Sequence, residues 1–220
     1  MALSLTSAVS KNAKILALFA IACTAIVAVV HLLTKDQIIL QQQQELLRNL
    51  NSIIAKDSYN NVIYKDCYIL PNAALGTVSP QKVYRARKND SAVAAAITTV
   101  APDGYSGNIE LIIAINIDGS ISGVRTLKHQ ETPGLGDKVE EKKSDWINSF
   151  TGMKLAHDND GRWLVKKDGG MFDQFTGATI TPRAVVEAVR NTVSYFNAHQ
   201  SELFEATSNC PSQKTAKGTK

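Results

Sequence analysis

Residues 108–129 read NIELIIAINIDGSISGVRTLKH. Nine residues rich in Ile and Leu carry a single charge, Glu110. Asp118-Gly119 then supplies turn chemistry, and a second extended run follows to His129. An apolar β-rich segment, an Asp-Gly turn and a second extended segment predict a β-hairpin. Upstream, Gln81 to Lys88 and Ser91 to Val100 are separated only by Asn89-Asp90 and read as another strand pair. Downstream, Ser144 to Phe150 is a short helix capped by Ser144, Arg162 to Lys167 reads as a further strand, and Gly169-Gly170 as a turn. Val185, Val189, Val193 and Phe196 recur at helical spacing, so Thr181 to Ala198 reads as an amphipathic helix with one buried stripe. Antiparallel strand pairs with separate helices give an α+β fold, an antiparallel sheet flanked by helices.

The N-terminal end follows different rules. Ile15 to Leu33 contains no Asp, Glu, Lys or Arg. As a helix it is long enough to cross most of a hydrocarbon core of about 30 Å. A cleaved signal peptide has a shorter apolar region, and a lipoprotein signal at Cys23 is disfavoured because the apolar run continues well past it. Lys11 and Lys14 precede the span, whereas Lys35 is followed at once by Asp36, a bias that favours a cytoplasmic N-terminus and an exported body. Ile39, Leu46, Leu47, Leu50, Ile53 and Ile54 suggest that helix continues beyond the span to Lys56, and Tyr59 to Pro80 reads as a loop-rich lead-in. The expected divisions are residues 1–14 (cytoplasmic), 15–34 (transmembrane helix), 35–80 (membrane-proximal helix and lead-in), 81–200 (the folded domain) and 201–220 (C-terminal tail). From Ser208 onward the tail is polar and Lys-bearing and is expected to be mobile. Cys67 and Cys210 are the two cysteines of the exported body, and either form one disulfide there or remain isolated buried thiols.

Several chemistries are excluded. Three cysteines and no CxxCH rule out a four-thiolate iron–sulfur site and c-type haem attachment. The four histidines form no HxxxH or HExxH pattern, so no metal is expected. No P-loop or strand-borne GxGxxG is present. The 24 Lys and Arg against 20 Asp and Glu are scattered rather than laid out as a stripe among aromatics, so nucleic acid is not an expected partner.

What remains is the crowding of hydroxyls in DQFTGATITPRAVVEAV, residues 173–189. Thr181 is the expected N-cap of the last helix, with Pro182 at its first position. Thr176 and Thr179 are then held beside a helix N-terminus, where unpaired N–H groups attract an anion. Gly177 lets a ligand approach the backbone. A capped turn with spare threonines would give the same pattern.

That segment resembles the flavinylation motif of the FMN-binding domain in the G subunit of Rnf-type (also called Rsx) electron transport complexes, with the C subunit of the sodium-pumping NADH:quinone reductase as a relative. APDGYSG (residues 101–107), HQETPGLGDK (residues 129–138), Asp145-Trp146 and VKKDGGMFD (residues 165–173) carry the resemblance over nearly the whole chain, and the APDGYSG form favours the Rnf-type branch. The resemblance implies FMN joined through its phosphate to Thr179, with Thr176, Gly177, Ala178 and Thr181 around the attachment point. It also implies a separate flavin transferase that uses FAD and Mg²⁺, because a threonine hydroxyl is a poor nucleophile without an adjacent base. Asp173 is part of what that enzyme reads. Glu131, Thr132, Gly134, Leu135 and Gly136 are implied contacts of a loop against the flavin, with Thr132-Pro133-Gly134 fitting a type II turn or simply a hairpin exit. Tyr105 either packs on the flavin or fills core space, and Lys166 and Lys167 either offset the phosphate charge or lie on an exposed edge. The implied function is electron relay within an ion-coupled inner-membrane complex working between ferredoxin and NAD or keeping a redox-sensing regulator reduced, with the folded domain on the periplasmic side. A membrane-anchored scaffold without flavin is the alternative.

Overall fold

The computed structural model describes residues 2–70, 75–158 and 160–210. Helix α1 spans Ala2–Ile53. Contacts divide the chain into a helical unit up to Leu46 and a second unit from Leu47 onward. In the first unit, Leu16, Ile21, Val27 and Leu32 are all more than half exposed. The helix contains an uncharged stretch long and apolar enough to cross a membrane.

The second unit is built on a five-stranded sheet: β1 (Cys67–Leu70), β2 (Gln81–Lys88), β3 (Ser91–Gly104), β4 (Gly107–Asn116) and β5 (Ile121–Lys128). The strands follow chain order across the sheet and every pair is antiparallel. The expected hairpin is β4–β5, in which Ile113 pairs with Val124. The expected upstream pair is β2–β3, with Lys88 facing Ser91 across a two-residue turn. Asn89 and Asp90 take φ of 51° and 64°, left-handed values that these two side chains tolerate and that the strand twist demands.

Two segments differ from expectation. β1 lies inside the lead-in read as loop; four residues between Asp66 and Pro71 are too short to show a period. Arg162 to Lys167 is not a strand. Val165 makes one isolated bridge to Phe172, and Lys166–Asp168 is a 3-10 turn. Gly169, at φ 88°, reverses the chain there, and a Cβ on Gly170 would stand 2.0 Å from the Leu164 carbonyl oxygen. Ser144 does accept from the Trp146 N–H, starting a 3-10 helix over Asp145–Phe150.

Both faces of the sheet are covered, which is why β4 reads as a continuous apolar run rather than an alternating one. On one face Ile109, Leu111, Ile113 and Ile115 join the core with α2 (Ile180–Glu205), whose Val185, Val189, Val193 and Phe196 are all fully buried. Burying each of these four side chains stabilises the fold by about 1.5–3 kcal/mol before entropy is counted. On the other face the end of α1 comes down on β5, where a Cβ on Gly123 would stand 2.9 Å from Ile53 Cβ.

The beginning of the tail is fixed, contrary to the mobility expected from Ser208 onward and in line with the disulfide considered for Cys67 and Cys210. Cys67 and Cys210 are joined in a disulfide. Ser208 Oγ donates to the Cys67 carbonyl (2.8 Å) and the Ile69 N–H donates to Asn209 Oδ1 (2.7 Å), so this segment covers the free edge of β1. The tail beyond residue 210 lies outside the described residues.

Candidate functional site

Helix α2 begins at Ile180, with Thr179 in the N-cap position. Thr181 is therefore not the cap. It is fully buried in the first turn, and its hydroxyl donates to Oε2 of Glu131, fifty residues away. Pro182 is third in the helix rather than first, still inside the turn whose N–H groups have no intrahelical acceptor. Thr179 has helical rather than extended angles (φ −81°, ψ −28°), and its side chain makes no capping hydrogen bond. The helical ladder starts with the Arg183 N–H donating to the Thr179 carbonyl at 3.3 Å. Ile180 and Thr181 thus bring two first-turn N–H groups without an intrahelical partner, next to a hydroxyl that caps nothing.

An open cleft of about 300 Å³ adjoins this helix start. Gly177, Ala178, Thr179, Ile180 and Thr181 line it from the helix side. Glu131, Thr132, Leu135 and Gly136 line it from the loop after β5, and Tyr105 comes from the β3–β4 turn. Nine of the twelve residues singled out from sequence are thereby brought together, and Ile180, which lies inside the threonine segment but was not singled out, joins them. Tyr105 is 68% exposed and fills no core space. Gly134, Thr176 and Asp173 lie outside the lining. Gly134, at φ 79°, occupies the third position of the expected type II turn, closed by the Leu135 N–H donating to the Thr132 carbonyl (3.1 Å). Thr176 is exposed in the turn before the helix, where Gly177 at φ 79° permits the Ala178 N–H to donate to the Phe175 carbonyl (3.0 Å).

Buried aromatics hold the threonine loop in place. Phe172 and Phe175 point inward while Asp173, Gln174 and Thr176 stay exposed. Trp146 packs edge-on against Phe175, with centroids 5.0 Å apart, and its Nε1–H donates to the Asp173 carbonyl (2.7 Å). Lys166 does not line the cleft: its ammonium pairs with Asp173 Oδ1 at 2.5 Å. Lys167 is likewise absent from the lining. Arg183 binds both oxygens of Asp168 (2.7 and 2.9 Å) and holds that carboxyl below the usual carboxylate range.

Glu131 ties the three parts of the cleft together. It is only 5% exposed, its Oε1 accepts the Ser106 N–H at 2.9 Å, and its Oε2 accepts from Thr181. Its own N–H donates to His129 Nδ1 (3.0 Å), so the ring carries its proton on Nε2, 2.7 Å from Glu140 Oε1. Close approach here requires Gly136, because a Cβ would stand 2.5 Å from Glu131 Oε2 and 2.8 Å from Thr181 Oγ1. Among the described residues no group of three His, Cys, Asp or Glu is arranged to hold a metal.

A helix start with free N–H groups, an uncommitted threonine hydroxyl and an open cleft suit a phosphate-bearing planar cofactor. Residues 104–194 match the family model of the FMN-binding domain, which sets the class of protein. Residues 1–53 match the RnfG N-terminal region. The chain is 48% identical to the G subunit of the ion-translocating oxidoreductase complex of Pseudoalteromonas atlantica, an alignment covering 96% of this chain and 98% of that relative. It is 49% identical to the protein of the same description in Vibrio vulnificus (93% and 97% covered) and 52% identical to that of Shewanella baltica (91% and 95%). The chain belongs to this family of G subunits, carrying an FMN-binding domain behind an N-terminal apolar helix.

Proposed function

We propose that this protein carries FMN as a phosphoester on Thr179 and relays electrons within an ion-translocating membrane oxidoreductase complex. The observation that carries the reading is the position of Thr179: an uncommitted hydroxyl at the N-cap of a 26-residue helix, on the edge of the cleft. A phosphodiester there keeps one negative charge beside the Ile180 and Thr181 N–H groups. A helix terminus contributes only about 0.3–2 kcal/mol to an anion, too little to retain a cofactor in an open cleft, so a covalent bond is the physical remedy. FMN, when bound, supplies the redox chemistry; the chain's own residues supply attachment, position and exposure.

Among the described cleft residues there is no lysine or histidine, and both oxygens of the one carboxylate, Glu131, are occupied by Ser106 and Thr181, which supports maturation by a separate transferase. Asp173, exposed and upstream of the turn, is available for that enzyme to read. The description shared by the relatives supports partnership with the other subunits of such a complex. The disulfide between Cys67 and Cys210 belongs to an oxidising compartment, which together with Lys11 and Lys14 supports a periplasmic domain behind an inner-membrane anchor. Exchange between ferredoxin and NAD, or reduction of a redox-sensing regulator, are the outputs such a relay serves. The test is fluorescence of the denatured full-length protein on a gel. Co-production with a flavin transferase gives a fluorescent band and omission of the transferase gives none; a dark band in both lanes overturns the reading.

A further inference from the structure

The cleft contains one charged side chain, and its charge has no role in the attachment chemistry. Glu131 is the only Asp, Glu, Lys or Arg among the described residues that line it. It is nearly inaccessible, and its two oxygens accept from different donors, the Ser106 N–H and the Thr181 hydroxyl. Both oxygens act as acceptors, which is the hydrogen-bonding pattern of a carboxylate.

That charge has no cationic partner. None of the ion pairs among the described residues includes Glu131. His129 accepts the Glu131 N–H at Nδ1 and turns its Nε2 to Glu140, so it offers the carboxylate no N–H. Two glycines make room for the carboxylate: a Cβ on Gly136 would stand 2.5 Å from Oε2, and one on Gly104 would stand 3.0 Å from Oε1. An uncompensated anion is therefore built into the wall of an otherwise uncharged cleft. At 5% exposure the carboxylate is screened less than a surface carboxylate would be.

We propose that Glu131 sets the reduction potential of the flavin held at Thr179, its unpaired negative charge opposing the entry of electrons into the ring. The proposal rests on the FMN reading above. Each electron added makes the ring more negative by one charge unless a proton follows, and a fixed anion in the wall makes that step less favourable. Glu131 thereby keeps the flavin a stronger reductant than the same cleft would with a neutral residue. The Thr181 hydroxyl dipole partly offsets the charge.

The experiment uses full-length protein matured by a flavin transferase and purified in detergent. Covalent occupancy is first measured by mass spectrometry, then the flavin is titrated anaerobically with dithionite in the presence of mediator dyes. Glu131→Gln is expected to shift the midpoint potential upward and to tighten binding of sulfite, an anion that adds to the flavin ring. Thr181→Val, which removes the donor but keeps the charge, is expected to shift the potential downward. A Glu131→Gln potential at or below that of the parent overturns the proposal. So does an upward shift in both variants, which would mean that a loosened loop and not a lost charge is responsible. Where Glu131→Gln does not accumulate, Thr181→Val decides alone: a downward shift supports the proposal, and an unchanged or higher potential contradicts it. Parent protein without covalent flavin would instead refute the FMN reading itself.

Discussion

The two ends of α2 are finished in opposite ways. At the C-terminal end, where carbonyls lack intrahelical donors, Arg85 reaches the Leu203 and Ala206 oxygens and Arg87 reaches the Phe204 oxygen. Asp66 pairs with both guanidinium groups, at 2.5 and 2.8 Å. At the N-terminal end Thr179 does not cap, Pro182 has no N–H, and Thr181 commits its hydroxyl to Glu131. The satisfied end anchors the helix to the sheet, and the unsatisfied end is where a ligand has something to gain. A helix end left open lowers the stability of a domain, and is retained where something else binds it.

The largest effect separates the two ends outright. Thr179→Ala removes the flavin adduct completely while Thr176→Ala retains it, as read from the intact mass of protein co-produced with the transferase; an adduct on the Thr179→Ala protein would break the distinction. At the other end, Arg85→Met leaves the Leu203 and Ala206 carbonyls without their donor and breaks a largely buried ion pair. It is expected to cost about 3 kcal/mol in denaturant unfolding, with the adduct unchanged on the protein that folds.

These ends were not equally legible. The helix and its stripe follow from the spacing of Val185, Val189, Val193 and Phe196, and the β4–β5 hairpin follows from an apolar run and its Asp-Gly turn, because both signals are local. The threonine segment was legible through its motif. Its capping geometry was not, since the competitor for the Thr181 hydroxyl is Glu131, distant in the chain and brought close only by folding. Arg162 to Lys167 misled for a related reason. Trp163 and Val165 are buried as a strand's inward residues would be, but they fill the core from an irregular loop that Gly169 and Gly170 turn back at once.

Smaller effects sharpen the contrast. Cys210→Ser unties the segment after α2 from β1 and is expected to lower stability by about 2–4 kcal/mol, whereas reductant added to the parent should reproduce the loss and leave the variant unaffected. Gly136→Ala pushes a methyl group into the Glu131–Thr181 pair and should cost about 1–3 kcal/mol, with reduced flavin occupancy on the folded fraction. The smallest effect concerns Asp168, whose carboxyl Arg183 holds below its usual value. A lowered folded value means that its contribution is present above the unfolded value of 3.8 and is lost as pH falls through the lower folded one. Stability from this pair is therefore flat between about pH 8 and about pH 5 and declines only in acid, and Arg183→Met should flatten that acid decline in pH-dependent unfolding.

The most direct test is peptide mass spectrometry of natively matured protein after denaturation and removal of loosely held small molecules. The fragment spanning Phe172 to Arg183 should carry the added mass of FMN less one water, with fragmentation placing it on Thr179. The same fragment at its unmodified mass, or the addition on Thr176 or Thr181, would contradict the assignment of the open end of α2 as the attachment point.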